Sequence, residues 1–120
     1  MLLDFQDIDE HFNQIGFMDR HEIKYTIRYY SEELKEYFYI SKISRASPST
    51  LIIHPKYEHL KIKLLSILGV VNESEYRHGT SMRKFPEKIN NGKRPTAYGI
   101  PFGFRNLESL SSFINFLSKN

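Results

Sequence analysis

The sequence contains no cysteine, which removes disulfides, thiolate nucleophiles and thiolate metal ligands together and fits a reducing compartment. No stretch approaches eighteen consecutive apolar residues, so no membrane span is expected. Met1-Leu2-Leu3-Asp4 lacks the basic region and long apolar run of a signal peptide, which points to a cytoplasmic protein. A glycine-rich nucleotide loop is missing as well: Gly99 and Gly103 are separated by Ile-Pro-Phe, with neither the Walker lysine nor the dinucleotide spacing. The five histidines are scattered, and His54 and His59, five apart across a proline, match no zinc spacing. Reactive side chains nowhere cluster as nucleophile, base and orienting partner, so neither an enzyme nor a bound cofactor or metal is expected. Internal repeats and low-complexity tracts are absent too.

What is present is an ordinary globular composition, 40% hydrophobic and 26% charged, over 120 residues. That length suits a single domain spanning residues 1–120, too small for two independent cores. The net charge of +3 is uneven. Arg77, Arg83, Lys84, Lys88, Lys93 and Arg94 face only Glu73, Glu75 and Glu87 between residues 72 and 95, and this stretch carries the whole excess. Such a segment makes those six side chains candidate nucleic-acid contacts.

The periodicity gives the elements. Phe5, Ile8, Phe12 and Ile15 recur at helical intervals, predicting a helix over 4–15 capped by Asp4 and stopped at Gly16, with Phe17 folding back behind it. From Ile23 to Tyr30 the period is two, with Ile23, Tyr25, Ile27 and Tyr29 on one face and Lys24, Thr26, Arg28 and Tyr30 on the other. A turn at 31–35 returns the chain as a second strand over 36–43, and a turn at Arg45–Ser49 leads to a central strand at Thr50–Ile53 ended by Pro55. Tyr57, Leu60, Leu64, Leu65 and Leu68 follow helical spacing up to Gly69, although Leu60, Ile62 and Leu64 also alternate like a strand. A short strand is placed near 81–85, a turn at Asn90-Asn91-Gly92, and a last strand near 96–100. Pro101 is expected to end that strand, Gly99 and Gly103 to serve backbone bends, and a helix from Asn106 carrying Leu107, Leu110, Phe113, Ile114 and Leu117 to seal the core. The order α-β-β-β-α-β-β-α implies a two-layer α+β domain with helices on one face of an antiparallel sheet.

Among polar residues, His54 before a proline is expected to bond nearby backbone and fix the turn rather than act as a base. Arg105 lies beside the free amides of the last helix, where an anion could bind, although a capped helix with a solvated arginine is the simpler expectation. The open sheet face is expected to show Lys24, Arg28 and Tyr30, joined by Tyr37 and Tyr39. Basic residues interleaved with tyrosines suit base stacking, but equally the wet side of a two-layer fold or a contact with a second copy.

Four segments together carry a resemblance. Tyr37-Phe38-Tyr39-Ile40, followed after a spacer containing Arg45 by Leu51-Ile52-Ile53-His54-Pro55, then Phe85-Pro86, then Tyr98-Gly99-Ile100-Pro101-Phe102-Gly103-Phe104 before an apolar helix, is similar to the YgaC-like small bacterial proteins. The resemblance covers about two thirds of the chain. It implies a fold grouped with the N-terminal domain of the competence regulator TfoX and, more loosely, with type III secretion chaperones. A shared pocket, on this resemblance, would draw on Arg45, His54 and Tyr98. Phe102 stands where the family often has a second histidine, so a site built on paired histidines is not implied. The resulting expectation is a non-enzymatic binding or regulatory module acting through protein contacts, as a homodimer. The alternative is a nucleic-acid-associated protein using residues 77–94, and a small enzyme built on His54 with Arg45 comes last.

Overall fold

One long strand near the end of the chain gathers most of the others around it. The computed structural model describes residues 2–43, 50–72, 74–89 and 94–120. In chain order these form α1 (Phe5–Gln14), β1 (Met18–Glu22), β2 (Thr26–Ser31), β3 (Glu36–Ser41), β4 (Leu51–Ile53), a 3₁₀ helix (Pro55–Leu60), α2 (Lys61–Leu65), β5 (Val70–Val71), β6 (Arg77–His78), β7 (Glu87–Ile89), β8 (Pro95–Phe104) and α3 (Leu107–Lys119). The strands make one antiparallel sheet in the order β1-β2-β3-β4-β8-β5, and β6 and β7 also pair with β8. Alternate residues of the central strands, Ile27, Tyr29, Phe38, Ile40, Leu51, Ile53, Ile100, Phe102 and Phe104, meet Ile8 and Phe12 of α1 and Leu110, Phe113 and Leu117 of α3 in the main core. This is the α+β architecture expected, with the helices on one face of the sheet.

Local chemistry accounts for both terminal helices. The Asp4 carboxylate accepts the Asp7 amide at 3.0 Å while Asp7 accepts the Asp4 amide, a reciprocal cap. Gly16 then takes φ +87°, a left-handed stop that costs a glycine little, and Phe17 returns to donate its amide to the Phe12 carbonyl and lay its ring 4.5 Å from that of Phe12. Asn106 and Ser109 repeat the reciprocal cap at α3. Its Phe113 ring lies 5.0 Å from both Phe102 and Phe104. Each aromatic side chain so buried contributes about 1.5–3 kcal/mol.

Several boundaries differ from the sequence expectation, each for a physical reason. The first predicted strand begins later, at Thr26. Ile23 and Tyr25 precede it and stay exposed, while β1, all of whose residues are exposed, occupies 18–22 as an edge strand. It has no apolar alternation to reveal it. It is held by pairing with β2 and by Arg20, whose guanidinium forks onto Asp9 at 2.9 and 2.8 Å and also reaches Glu22, which Lys42 engages in turn. The helix expected over 57–68 is a 3₁₀ turn running into α2, and it ends at Leu65. Instead of a strand, residues 79–85 form successive turns, Met82 N–H to Gly79 carbonyl and Phe85 N–H to Met82 carbonyl, that bring Met82 and Phe85 to one side. The expected turns at 45–49 and 90–92 lie outside the described residues.

The largest correction concerns Pro101, which does not end the last strand. Ile52 stands opposite it in the ladder, and β8 continues through to Phe104. Asn72 Nδ2 donates to the Pro101 carbonyl at 2.5 Å. A strand residue points its amide and carbonyl to the same side, so the missing amide faces Asn72 and not β4, and no rung of the ladder is lost. Gly99 likewise makes no bend. A Cβ there would sit 2.5 Å from Ile52 Cγ2, 2.7 Å from the Ile53 carbonyl oxygen and 2.9 Å from the Phe85 ring, so glycine is required for close approach.

Because the Ile53 backbone cannot yield as a side-chain tip would, Gly99→Ala should destabilise the protein by about 1–3 kcal/mol in urea unfolding. Gly79→Ala, whose added carbon meets only the flexible Met82 side chain at 3.5 Å, should stay within about 0.5 kcal/mol of wild type.

Candidate functional site

The residues singled out in the sequence do not converge. His54 follows β4 and caps the 3₁₀ helix: its Nδ1 accepts the Lys56 amide at 2.9 Å, which places the proton of the neutral ring on Nε2. Its ring packs edge-on against Phe85 at 5.3 Å. This is the turn-fixing arrangement expected. Next to it, Glu36 is buried, accepts the Tyr37 amide and pairs with Lys56 Nζ at 2.5 Å, a bond that raises the lysine pKa. Burial lowers the His54 pKa, against a smaller opposing pull from Glu36.

Tyr98 belongs to a different group. Its ring stands perpendicular to Tyr76 at 5.2 Å and stacks on His78 at 5.9 Å, with Lys88 Nζ over Tyr76 at 4.2 Å. Tyr76 Oη donates to Glu58 at 2.5 Å, which with some burial pushes its pKa up to about 12. Tyr98 alternates with Ile100 on the helix-covered face, whereas the neighbours of His54 include Phe85 of the opposite face. Arg45 and Lys93 lie outside the described residues. Arg105 is exposed beside the Asn106 cap, its own amide bonded to the Gly69 carbonyl at 2.9 Å.

The basic segment is divided as well. Lys88 folds over Tyr76, Lys84 lies over Tyr37 at 5.2 Å, Arg77 is half-buried and donates to Ser41 Oγ at 3.1 Å, and Arg83 and Arg94 are exposed. Lys88 and Arg77 therefore serve opposite faces of β8.

Two surfaces that sequence reasoning missed stand out instead. The first is the face away from the helices, expected to be open. Met82, Phe85 and Ala97 form a second small core there with Tyr39 and Ile52, so Tyr39 is buried, its Oη accepting the Lys84 amide at 3.1 Å. Beside this cover is a cleft of about 220 Å³ lined by Tyr25, Thr26, Ser41, Ile43, Ile52 and residues 77–82. The signal for it was faint, since Thr26 and Ser41 meet only through the β2–β3 register. The second surface is apolar. Ile62 and Leu68 are 85% and 94% exposed, and Leu65 and Leu68 line a shallow depression with Arg105 and Asn106, next to exposed Leu107. Leu65 and Leu68 follow helical spacing in the sequence, but α2 ends at Leu65 and both side chains stay exposed.

Among the described residues, no group of three or more His, Asp or Glu side chains is placed to hold a metal ion, and no helix is long and apolar enough to cross a membrane. Fold and surfaces together define a small α+β protein with one helix-sealed face, a small cleft of mixed lining on the other, and exposed apolar side chains at the α2–α3 end. The chain belongs to the family described as "Protein of unknown function (DUF2002)", whose model matches residues 1–118. No curated protein matches it.

The His54 cap gives a pH signature. Its lowered pKa means that the unfolded ring takes up a proton first as pH falls. The stabilisation is therefore complete above about pH 6.5, the ordinary value, and is lost as pH falls towards the folded pKa. His54→Ala should cost about 1 kcal/mol at neutral pH and should flatten the loss of stability below it in urea melts. Some loss should persist, because burial also lowers the His11 pKa.

Proposed function

We propose that this protein is a cytoplasmic bacterial binding or regulatory module that performs no catalysis, acts through protein contacts, and has a second copy of itself as its first partner. The observation that carries this reading is the pair Leu65 and Leu68, exposed in one depression beside Asn106 and the exposed Leu107 that follows it, an unfavourable feature for a surface that meets only water. Exposed Arg105 and Glu108 flank Leu107. A two-fold contact repeats the same patch on both copies, so an arginine and a glutamate on its rim offer opposite charges to each other. The resemblance to YgaC-like proteins, and through them to the TfoX N-terminal domain and the secretion chaperones, supports the same reading, as fold analogy only.

Sedimentation equilibrium tests it. The wild type should self-associate in the micromolar range, and Leu68→Glu should yield a monomer with unchanged thermal stability, since Leu68 is 94% exposed. A wild type that stays monomeric at high micromolar concentration overturns the proposal.

A second reading, contact with nucleic acid through residues 77–94, draws support from one cluster. Tyr30 and Tyr37 rings lie 4.9 Å apart, and both Arg28 and Lys84 sit over Tyr37, a basic-aromatic surface suited to stacked bases. It predicts that a fluorescent single-stranded oligonucleotide binds at low salt and is released steeply as salt rises, with Lys84→Glu weakening the complex. No change in anisotropy at low salt ends this reading.

A further inference from the structure

We propose that the groove between α1, α3 and the β2–β3 turn is a binding site for a small organic cation, a primary amine carried on a compact apolar body. The groove holds about 420 Å³, within the range of about 300–1,000 Å³ usual for small-molecule sites. It is built around the end of α1. Gly16, at φ +87°, turns the chain out of the helix, and a Cβ placed on it would meet no atom within 4 Å, so the space beside it stays open.

Part of the lining is apolar. Phe17, which folds back behind the helix, and the buried Ile114 of α3 line the groove together with Ile15. Ile15 continues the apolar stripe of Ile8 and Phe12, yet it stays 44% exposed where it borders this space. A ligand body laid against these three side chains would remove apolar surface from water.

The charge that lines the groove is of one sign. Glu32 and Glu33 of the β2–β3 turn contribute to it, and among the described residues no lysine or arginine does. Neither carboxylate makes an ion pair or a hydrogen bond with a described residue, whereas Asp9, Glu22 and Glu36 each engage a cation. The last turn of α1 adds to the same sign, because its carbonyl groups carry the negative end of the helix dipole. His11 does not oppose it. Its Nε2 lies 3.3 Å from Ser111 Oγ, and burial lowers its pKa, so the ring is neutral at pH 7.

The choice of ligand follows from this set of acceptors. Ser111 and Asn115, one turn apart on α3, add neutral oxygens to the two carboxylates. An ammonium group, with three donors and no acceptor, complements them. A carboxylate or phosphate ligand would meet repulsion here. A bare metal ion would leave Ile15 uncovered, and among the described residues no group of three or more acidic or histidine side chains is placed to hold one.

The test is a ¹⁵N–¹H correlation titration of the full chain, at constant ionic strength, with 2-phenylethylamine, 2-phenylethanol, 3-phenylpropionate and ammonium chloride. Saturable shifts with the amine alone, centred on the amides of Glu32, Glu33, Ser111 and Asn115, are expected. The double variant Glu32→Gln/Glu33→Gln should bind the amine about three- to tenfold more weakly. It should melt at the wild-type temperature, since both side chains are exposed. Absence of saturable shifts, an equal response to the alcohol or the carboxylate, the same shifts from ammonium alone, shifts centred elsewhere, or unchanged affinity in the double variant would each overturn the proposal. Because the groove and the α2–α3 depression are lined by different residues, the result is independent of whether the protein self-associates.

Discussion

The fold depends on the close approach of β8 to β4 at Gly99. With no side chain there, Ile52 Cγ2, the Ile53 carbonyl and the Phe85 ring all crowd the same backbone. On the helix-covered side, this packing sets the level at which Ile100, Phe102 and Phe104 enter the main core against α3. On the other side it leaves room for the Phe85 ring, which joins Tyr39, Ile52 and Met82. One missing methyl group therefore couples two cores that share a single sheet. The coupling is steric, and close-packed interiors transmit such constraints because they have few voids to absorb a shift.

β8 can serve as the hub because both of its sides are occupied in sections. β4 and β7 lie along one side, with Tyr98 donating its amide to the Pro86 carbonyl near their junction. β5 and β6 lie along the other, where Asn72 reaches Pro101 and the Gly79 amide reaches the Ala97 carbonyl. The proline sits between the β6 and β5 pairings, where the strand partner is interrupted and the Asn72 side-chain amide takes its place. An arrangement of this kind hides the sheet edge that a ten-residue strand would otherwise present to other chains. The opposite edge, β1, is protected differently, by the Asp9–Arg20–Glu22–Lys42 chain of charges and a φ of +55° at Asp19 that disrupts regular pairing.

Elements with strong local patterns were legible in the sequence. The two terminal helices, the β2–β3 hairpin and β4 carry caps, turn residues or apolar spacing that point to one answer, and each stands close to where periodicity places it. β1 was not legible because its five exposed residues are held by pairing and ion pairs, which leave no periodic trace. The continuation of β8 was hidden for the opposite reason: Pro101 and Gly99 are local strand breakers whose positions are excused by Asn72 and by the packing of Phe85, partners distant in sequence. The site was less legible still. His54 gave up its role correctly, as a turn-fixing cap, because that role is local. The cleft could not be read, since Thr26, Ser41, Arg77 and Ser81 are joined only through register and through turns that resemble a strand in sequence.

The placement of the two surfaces follows from how the sheet faces are closed. The helix-bearing face is covered by α1 and α3, with Tyr57, Leu60 and Leu64 of the 3₁₀ helix and α2 completing the core beside them. α2 has only five residues, so its apolar side chains beyond Leu64 run out of helix before they run out of hydrophobic character, and Leu65 and Leu68 are left facing outward. On the other face the cover is a chain of turns, which protects only the width of Met82 and Phe85. Thr26 and Ser41, paired across the β2–β3 ladder beyond that width, are both buried. Buried hydroxyls without a full set of partners are unfavourable unless something supplies the missing bonds. For Ser41 the Ile43 backbone and the Arg77 guanidinium supply them, and the same bonds tie β6 to the end of β3 beyond the edge of the second core.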